Sequence, residues 1–356
     1  MDLRLYKYLR ICLLFVFISK INAQQPAKDS LPPSEEQFIK ASKLIDSARY
    51  KEGLIILKKL IKASPSNWAA YNKSAFAKMK LKDFKEAAKD LDKAEYFQAM
   101  NFETSKLKGI NFYLWENFKE SKIALDTALS ISKIEKIDDA ELHYYRALLM
   151  FKGKSFKTAL EACESAIEFN PKYWEAMKVK GEIRFAMKDY NYAIKELNEA
   201  IKTMPATQPD YSCYQLRAKS KFEVKDFKGA VTDWNVYIEG VPGEEPSLIS
   251  RGAAKINSND NSGAIADLDE AIKLNNKNPI SYCYRGVAKG GNKNFTEALK
   301  DINYAIKLKF DYGGAYLNRA AIKMASKDKR GACEDLEKAD SLGDEMAIKL
   351  IQQYCK

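Results

Sequence analysis

The chain has 356 residues, 59 Lys and Arg against 48 Asp and Glu for a net charge of +11, and 46% hydrophobic residues. That balance belongs to a folded chain rather than a disordered one, and 16 glycines with 10 prolines are too few for collagen-like, linker-rich or many-turned all-β architectures. One histidine leaves almost no room for imidazole chemistry, whether metal ligation or an acid–base relay.

The first element reads as an export signal over residues 1–23. Arg4, Lys7 and Arg10 precede an apolar run from Ile11 to Ile18, and Ile21-Asn22-Ala23 supplies a small residue before a cut. The run is too short for the roughly 20 residues that span a bilayer, so no transmembrane segment is expected in the mature chain. Cleavage after Ala23 is the expectation, with an uncleaved anchor as the alternative and Lys20 as the departure. Leu9-Arg10-Ile11 before Cys12 excludes a lipid anchor. The expected location is the periplasm, with secretion or envelope association as variants. There, nucleic acid is not an expected partner, and the positive charge is spread with no long like-charge run, as on a solvated surface. Downstream of residue 23 stand Cys163, Cys213, Cys283, Cys333 and Cys355, an odd set with no C-x-x-C, which argues against zinc ribbons and thioredoxin-like sites.

Residues 24–33 form a polar, proline-containing leader. From Ser34 the chain repeats every 34 residues, over 34–67, 68–101, 102–135, 140–173, 174–207, 211–244, 245–278, 279–312 and 313–346, with extra residues only at 136–139 and 208–210. A fixed period of this length is a solenoid signature. Each block predicts two helices around a tight turn. Position 16 of the block holds a short polar cap such as Asp83, Asn117, Asp226 or Asp260. Glu86, Glu120 and Glu297, three residues on, predict capping boxes. Position 17 is aromatic in seven blocks, positions 8 and 20 are small, and Pro65, Pro171, Pro205 and Pro242 at position 32 end second helices. Asp344 caps a last helix through Tyr354, so that 347–356 closes the open end of the stack.

These marks resemble the tetratricopeptide repeat over residues 34–346, with Tyr at position 4 (Tyr71, Tyr214, Tyr282, Tyr316) where the family has Trp, and Tyr237, Asn261 and Lys329 as further departures. The resemblance implies an all-α, right-handed superhelical solenoid of nine helix-turn-helix repeats with a C-terminal capping helix. Its concave surface would be lined by first helices at positions 2, 5, 9, 12 and 13. The Lys-rich composition and the ending from Gly331 to Gly343 also resemble exported repeat proteins of Bacteroidetes, which serve envelope assembly or secretion. Family members that bind acidic chaperone tails carry Lys at 5 with Asn at 9 in one repeat. No block here has that pair.

Position 12 is large and apolar in eight blocks, including Tyr113, Phe151, Phe185, Phe222 and Ile256, and Phe76 and Leu148 at position 9 widen the stripe. Two readings stand: core packing, or a groove for a partner peptide with Tyr113, Phe151, Phe185 and Phe222 as anchors. A second pattern pairs position 7 with position 23: Arg217 with Asp233, Arg251 with Asp267, Arg285 with Asp301 and Arg319 with Asp335, while Lys180 and Glu196 swap both members. Facing positions in an antiparallel hairpin have a near-constant sum, so these read as structural ion pairs. The alternative is a basic stripe, with Lys at position 11, that binds an anionic envelope polymer. Cys333 at position 21 faces the last helix and predicts a disulfide with Cys355, against two reduced thiols. His143 is a packing residue, and Gly290-Gly291 reads as a relaxed helix end. No catalytic constellation, metal site or cofactor motif is found. The expected function is a non-catalytic scaffold that binds a protein or peptide.

Overall fold

The computed structural model describes residues 33–355, which form nineteen α-helices and no strand. The expected signal and residues 24–32 of the leader lie outside the described residues. The chain comprises two compact units whose boundary, between Asn111 and Phe112, falls within one helix. In the first unit, α1 (Pro33–Asp46) pairs with α2 (Tyr50–Ala63) and α3 (Trp68–Lys80) with α4 (Phe84–Phe97), before α5 (Phe102–Leu114) begins. The second unit continues with α6 (Phe118–Glu135). Hairpins follow: α7 (Ala140–Lys152) with α8 (Phe156–Phe169), α9 (Trp174–Ala186) with α10 (Tyr190–Thr203), and α11 (Tyr211–Glu223) with α12 (Phe227–Gly240). Then come α13 (Glu245–Asn257) with α14 (Asn261–Leu274), α15 (Pro279–Gly291) with α16 (Phe295–Leu308), α17 (Gly313–Ala325) with α18 (Lys329–Ser341), and the single α19 (Glu345–Tyr354). Within this unit each hairpin stacks on the next, and first helices approach one another directly: α7 with α9, α9 with α11, α13 with α15 and α15 with α17. They therefore lie side by side along one face.

The turn inside each hairpin has one construction. Position 15 is left-handed at nine non-glycine residues, from φ 57° at Lys154 to 70° at Lys327. The next N–H donates back to the carbonyl at position 11, as from Asp226 to Lys221 at 2.8 Å and from Asp260 to Lys255 at 2.8 Å, the six-to-one closure of a Schellman motif. Asp226, Asp260 and Asp328 then accept from the backbone N–H of Gly229, Gly263 and Gly331, which opens the second helix. The expected capping boxes do not form, for a reason visible in the same turn. The N–H groups of Asp83, Asn117 and Asn294 are already bonded to Lys78, Phe112 and Lys289 carbonyls, and Glu86 and Glu297 pair with Lys89 and Lys300 instead.

Small residues at position 8 receive the side chain at position 24. A Cβ on Gly286 would lie 2.6 Å from Cγ1 of Ile302, so only glycine allows this approach. Gly290 corrects the reading of a relaxed helix end: it is buried, and a Cβ there would lie 2.1 Å from Cδ1 of Ile322, which fills the space that larger residues take at position 12 elsewhere. The core is a series of local clusters, such as Ala147, Cys163, Val179 and Ile183, or Ala218, Ala230, Trp234 and Ala254, each shared by adjacent helices.

Candidate functional site

The charged rows explain which part of the surface is left for a partner. Arg251 donates from Nε and Nη2 to Asp267 at 2.9 and 2.7 Å, and the Lys255 ammonium reaches the same carboxylate at 2.9 Å. Arg217 with Lys221 on Asp233, Arg285 with Lys289 on Asp301, and Arg319 with Lys323 on Asp335 repeat the arrangement. All four aspartates are buried. The free Nη1 of each arginine reaches back to position 25 of the preceding hairpin: Asn198, Asn235, Asp269 and Asn303 in turn. Lys180 makes the swapped version, 3.2 Å from Glu196 and 3.3 Å from Glu164. Tyr at position 4, the departure from the family pattern, lies under these guanidiniums: Tyr214, Tyr282 and Tyr316 sit 5.2–5.4 Å from Arg217, Arg285 and Arg319. The bond to Asp301 holds the Arg285 pKa above its ordinary value despite burial, with Asp269 adding to it, and Asp335 does the same for Arg319. In these four hairpins the cations at positions 7 and 11 are therefore engaged with buried carboxylates, whereas Arg146 at position 7 of the fourth block reaches only the part-exposed Asp126 at 3.8 Å.

Apolar side chains on the first helices face a cavity. Phe185, Phe222, Trp234, Ile249, Ile280 and Tyr284 line a groove of about 410 Å³ that runs across α9, α11, α13 and α15, with Lys219 and Glu223 among its polar members. Phe185 and Phe222 are half-buried. Each packs one side on the position-17 aromatic of its own hairpin, 5.5 Å from Tyr190 and 5.2 Å from Phe227, which holds the ring upright. Ile280 is 40% exposed, high for an isoleucine, and marks the open side. In the first unit a separate groove of about 300 Å³ gathers Phe38, Trp68, Asn72, Phe76 and Leu107, with Lys73 tied to Asp46 at 2.8 Å.

The position-12 residues thus divide. Ile45 and Met79 are core, only 1% and 6% exposed. Phe151 and Leu148 pack on the α7–α9 cluster and Ile256 on the Leu248–Leu268 cluster. Tyr113 joins a run of rings, 5.8 Å from Phe118 and 5.7 Å from Tyr145. Of the four proposed anchors, Phe185 and Phe222 share this groove, whose other side is made by Ile249, Ser250 and Ala253 of α13 and Ile280 and Tyr284 of α15. Ile249, Ile280, Tyr284 and Trp234 escaped the sequence reading. For the three on first helices the available signal was a face without charge at positions where its neighbours carry Glu or Lys; Trp234 reaches the groove from the second helix α12.

The Cys333 and Cys355 sulfurs are bonded at 2.03 Å, joining α18 to the end of α19. Cys163, Cys213 and Cys283 are buried free thiols, and burial pushes the first two up to about 12, so they stay protonated packing residues. His143 packs on Phe169 at 5.3 Å, and burial together with Arg146 holds its pKa down. Among the described residues no cluster of His, Cys, Asp and Glu is arranged to hold a metal, and no helix is long and apolar enough to cross a membrane.

With this geometry in view, comparisons place the fold. No family model matches the chain. Hsp70-Hsp90 organizing protein 3 of Arabidopsis thaliana is 27% identical over 129 residues, and Hsp70-Hsp90 organizing protein 1 of Glycine max is 25% identical over the same length. The matched stretch is 36% of this chain and 22% of each relative's own length. Among solved structures, Pseudomonas aeruginosa PilF superposes with a TM-score of 0.53 at 14% identity, covering 59% of this chain and 93% of that one. PilW, described as a widely conserved type IV pilus biogenesis factor, gives 0.54 at 14% identity, covering 60% and 96%. The fold is that of a tetratricopeptide-like helical repeat.

Proposed function

We propose that the chain is a non-catalytic interaction scaffold that buries a segment of a partner protein in the groove between Phe185, Phe222, Ile249 and Ile280. Repeats of this type are generally protein-interaction scaffolds. The observation that carries the reading here is the continuous apolar lining on four consecutive first helices, with rings held upright from behind and an exposed isoleucine at the mouth. Rigid aromatics concentrate binding energy because few rotamers are lost on contact. The matched relatives are named for organizing Hsp70 and Hsp90, but Lys at 5 with Asn at 9 occurs in no hairpin of this chain, and that partnership is not carried over. The anionic-polymer alternative is less favoured, because Arg217, Arg251, Arg285 and Arg319 with their position-11 lysines are already paired with Asp233, Asp267, Asp301 and Asp335. We place the scaffold in the cell envelope on the signal-like residues 1–23, and take the resemblance to exported Bacteroidetes repeats as consistent with it.

A photo-crosslinking residue tests the groove in living cells. Placed at Ile280 it is expected to give a discrete adduct that Phe222→Ser abolishes, while the same group at exposed Ile55 on α2 gives none. With the crosslinking residue moved to Tyr284, Ile280→Ser, at an exposed site, is the companion that cannot act through the core. Adducts that survive Phe222→Ser from position 280 and Ile280→Ser from position 284 overturn the groove.

A further inference from the structure

We infer that the groove selects a segment in which a cationic side chain, Lys or Arg, neighbours the apolar anchor, with the cation held against Glu182 and Glu175 beside a wall of tyrosines. The inference rests on the groove reading and adds the chemistry of the occupant.

Helix α9 joins the two halves of the site. Glu175, Lys178, Glu182 and Phe185 stand three, four and three residues apart, which puts them on one helical face. At one end Phe185 lines the apolar groove. One turn earlier on the same face stands Glu182, near a set of rings from α5, α7 and the residue that opens α9. Tyr113, Tyr145, Tyr144 and Tyr173 form a chain with centroid separations of 5.7, 5.4 and 5.0 Å. The Glu182 carboxylate acts on Tyr113 and Tyr144, and Glu175 acts on Tyr144 and Tyr173, so the carboxylates and rings share one neighbourhood. Burial is the main cause of the phenols' raised pKa values, with Tyr145 pushed up to about 12, and they remain neutral.

The local charges are not balanced. Lys178 is 3.8 Å from Glu182, but its ammonium lies 2.7 Å from Asp210, so one cation serves two carboxylates. Burial is the main cause that raises the Glu182 pKa; Lys178 pulls it down, and Asp210 adds a smaller rise. Lys219 borders the groove with Glu223 four residues on, and Lys152 turns away over the Phe118 ring at 5.5 Å. The groove positions contributed by α13 and α15 carry no charge. Along this stretch carboxylates outnumber ammonium groups in a chain whose net charge is +11. A cation arriving here meets carboxylates in a partly desolvated setting and aromatic faces beside them, and both favour Lys or Arg over a neutral residue.

The test is selection of random peptides, displayed on phage, against the full chain. Enriched sequences are expected to pair an aromatic or large aliphatic residue with Lys or Arg within one turn or a few residues. Changing that cation to Gln in the synthetic peptide is expected to weaken Kd about tenfold. The double variant Glu175→Gln, Glu182→Gln is expected to bind the two peptides within about twofold of each other while still requiring Ile280 and Phe222. Peptides that need Phe222 and Ile280 but show no preference for a cation, or prefer an acid, overturn the charge inference and leave the groove standing. Binders indifferent to Phe222→Ser and Ile280→Ser, or no binders at all, overturn both.

Discussion

At the scale of single residues, the sharpest case is Asp267. It is 4% exposed and would be costly to bury as an anion, but Arg251 grips it with two bonds and Lys255 with a third. Removing one member of such a group leaves the others without balance in a place water reaches poorly. Asp267→Asn keeps the shape and sets two cations against each other, so it is expected to cost about 2–4 kcal/mol in urea unfolding. Glu297→Gln, which breaks the exposed pair with Lys300, is expected to leave the urea midpoint unchanged. The 7/23 pairing was legible in the sequence because both members recur at fixed places and block five exchanges both. Two features were not. The lysine at position 11 was read as a neighbour of the arginine, whereas it converges on the same aspartate. The bond to position 25 joins different hairpins, so its register depends on how hairpins stack, which the sum rule within one hairpin does not describe. With the stacking known, the pairing between hairpins can be traced in the sequence: where position 7 is Ser74 instead of a cation, position 25 of the preceding block is Lys58.

At the scale of the element, the hairpin turn carries the repeat. The cap at position 16 could be read from recurring Asp, which accepts at Asp83, Asp226, Asp260 and Asp328, whereas Asn117, Ser155, Asp189 and Asn294 make no such bond; the helix ends could be read from Pro at position 32. The left-handed residue just before the cap could not, because it is Lys at six of its nine occurrences and Gly at none. Six-to-one closure needs that conformation whatever residue stands there, so the turn imposes it on lysine at some cost in energy. Lys225, exposed and at φ 64°, lies between Val224 and the cap Asp226. Lys225→Gly removes a strain of about 1 kcal/mol while adding a smaller entropy to the unfolded chain. The expected result is a net gain of about 0.5 kcal/mol in urea midpoint analysis. Lys225→Val should move the midpoint the other way, since a branched side chain tolerates φ above zero least. Equal midpoints for the two variants would mean that the turn is not the rigid part of the hairpin.

At the scale of the whole molecule, the 34-residue period gave no sign of the division at Asn111, because the signature runs through residues 102–135 like any other block. Period reports the hairpin, whereas compact units depend on how well successive hairpins fit. The packing of α18 on α19 was more legible, since Cys333 sits on the face where the next element stacks and Cys355 lies at the end of that element. Ala347, Leu350 and Ile351 of α19 pack on the Leu336 and Ala339 cluster beside Tyr316 and Met324, while Met346 and Ile348 stay about half exposed. A helix of 10 residues is marginal without support, and in a stack of this kind each element depends on the neighbours it touches. The Cys333–Cys355 bond closes 22 residues of separation, which the chain-entropy model values at about 3 kcal/mol. We therefore expect Cys355→Ser to raise amide exchange in α19 by roughly two orders of magnitude and to leave exchange in α9 through α15 nearly unchanged. A reducing agent should reproduce the effect in the wild-type chain and do nothing further to the variant. If α19 exchanges equally in oxidised, reduced and Cys355→Ser protein, then its apolar face alone holds the cap, and the bond contributes nothing to the end of the stack.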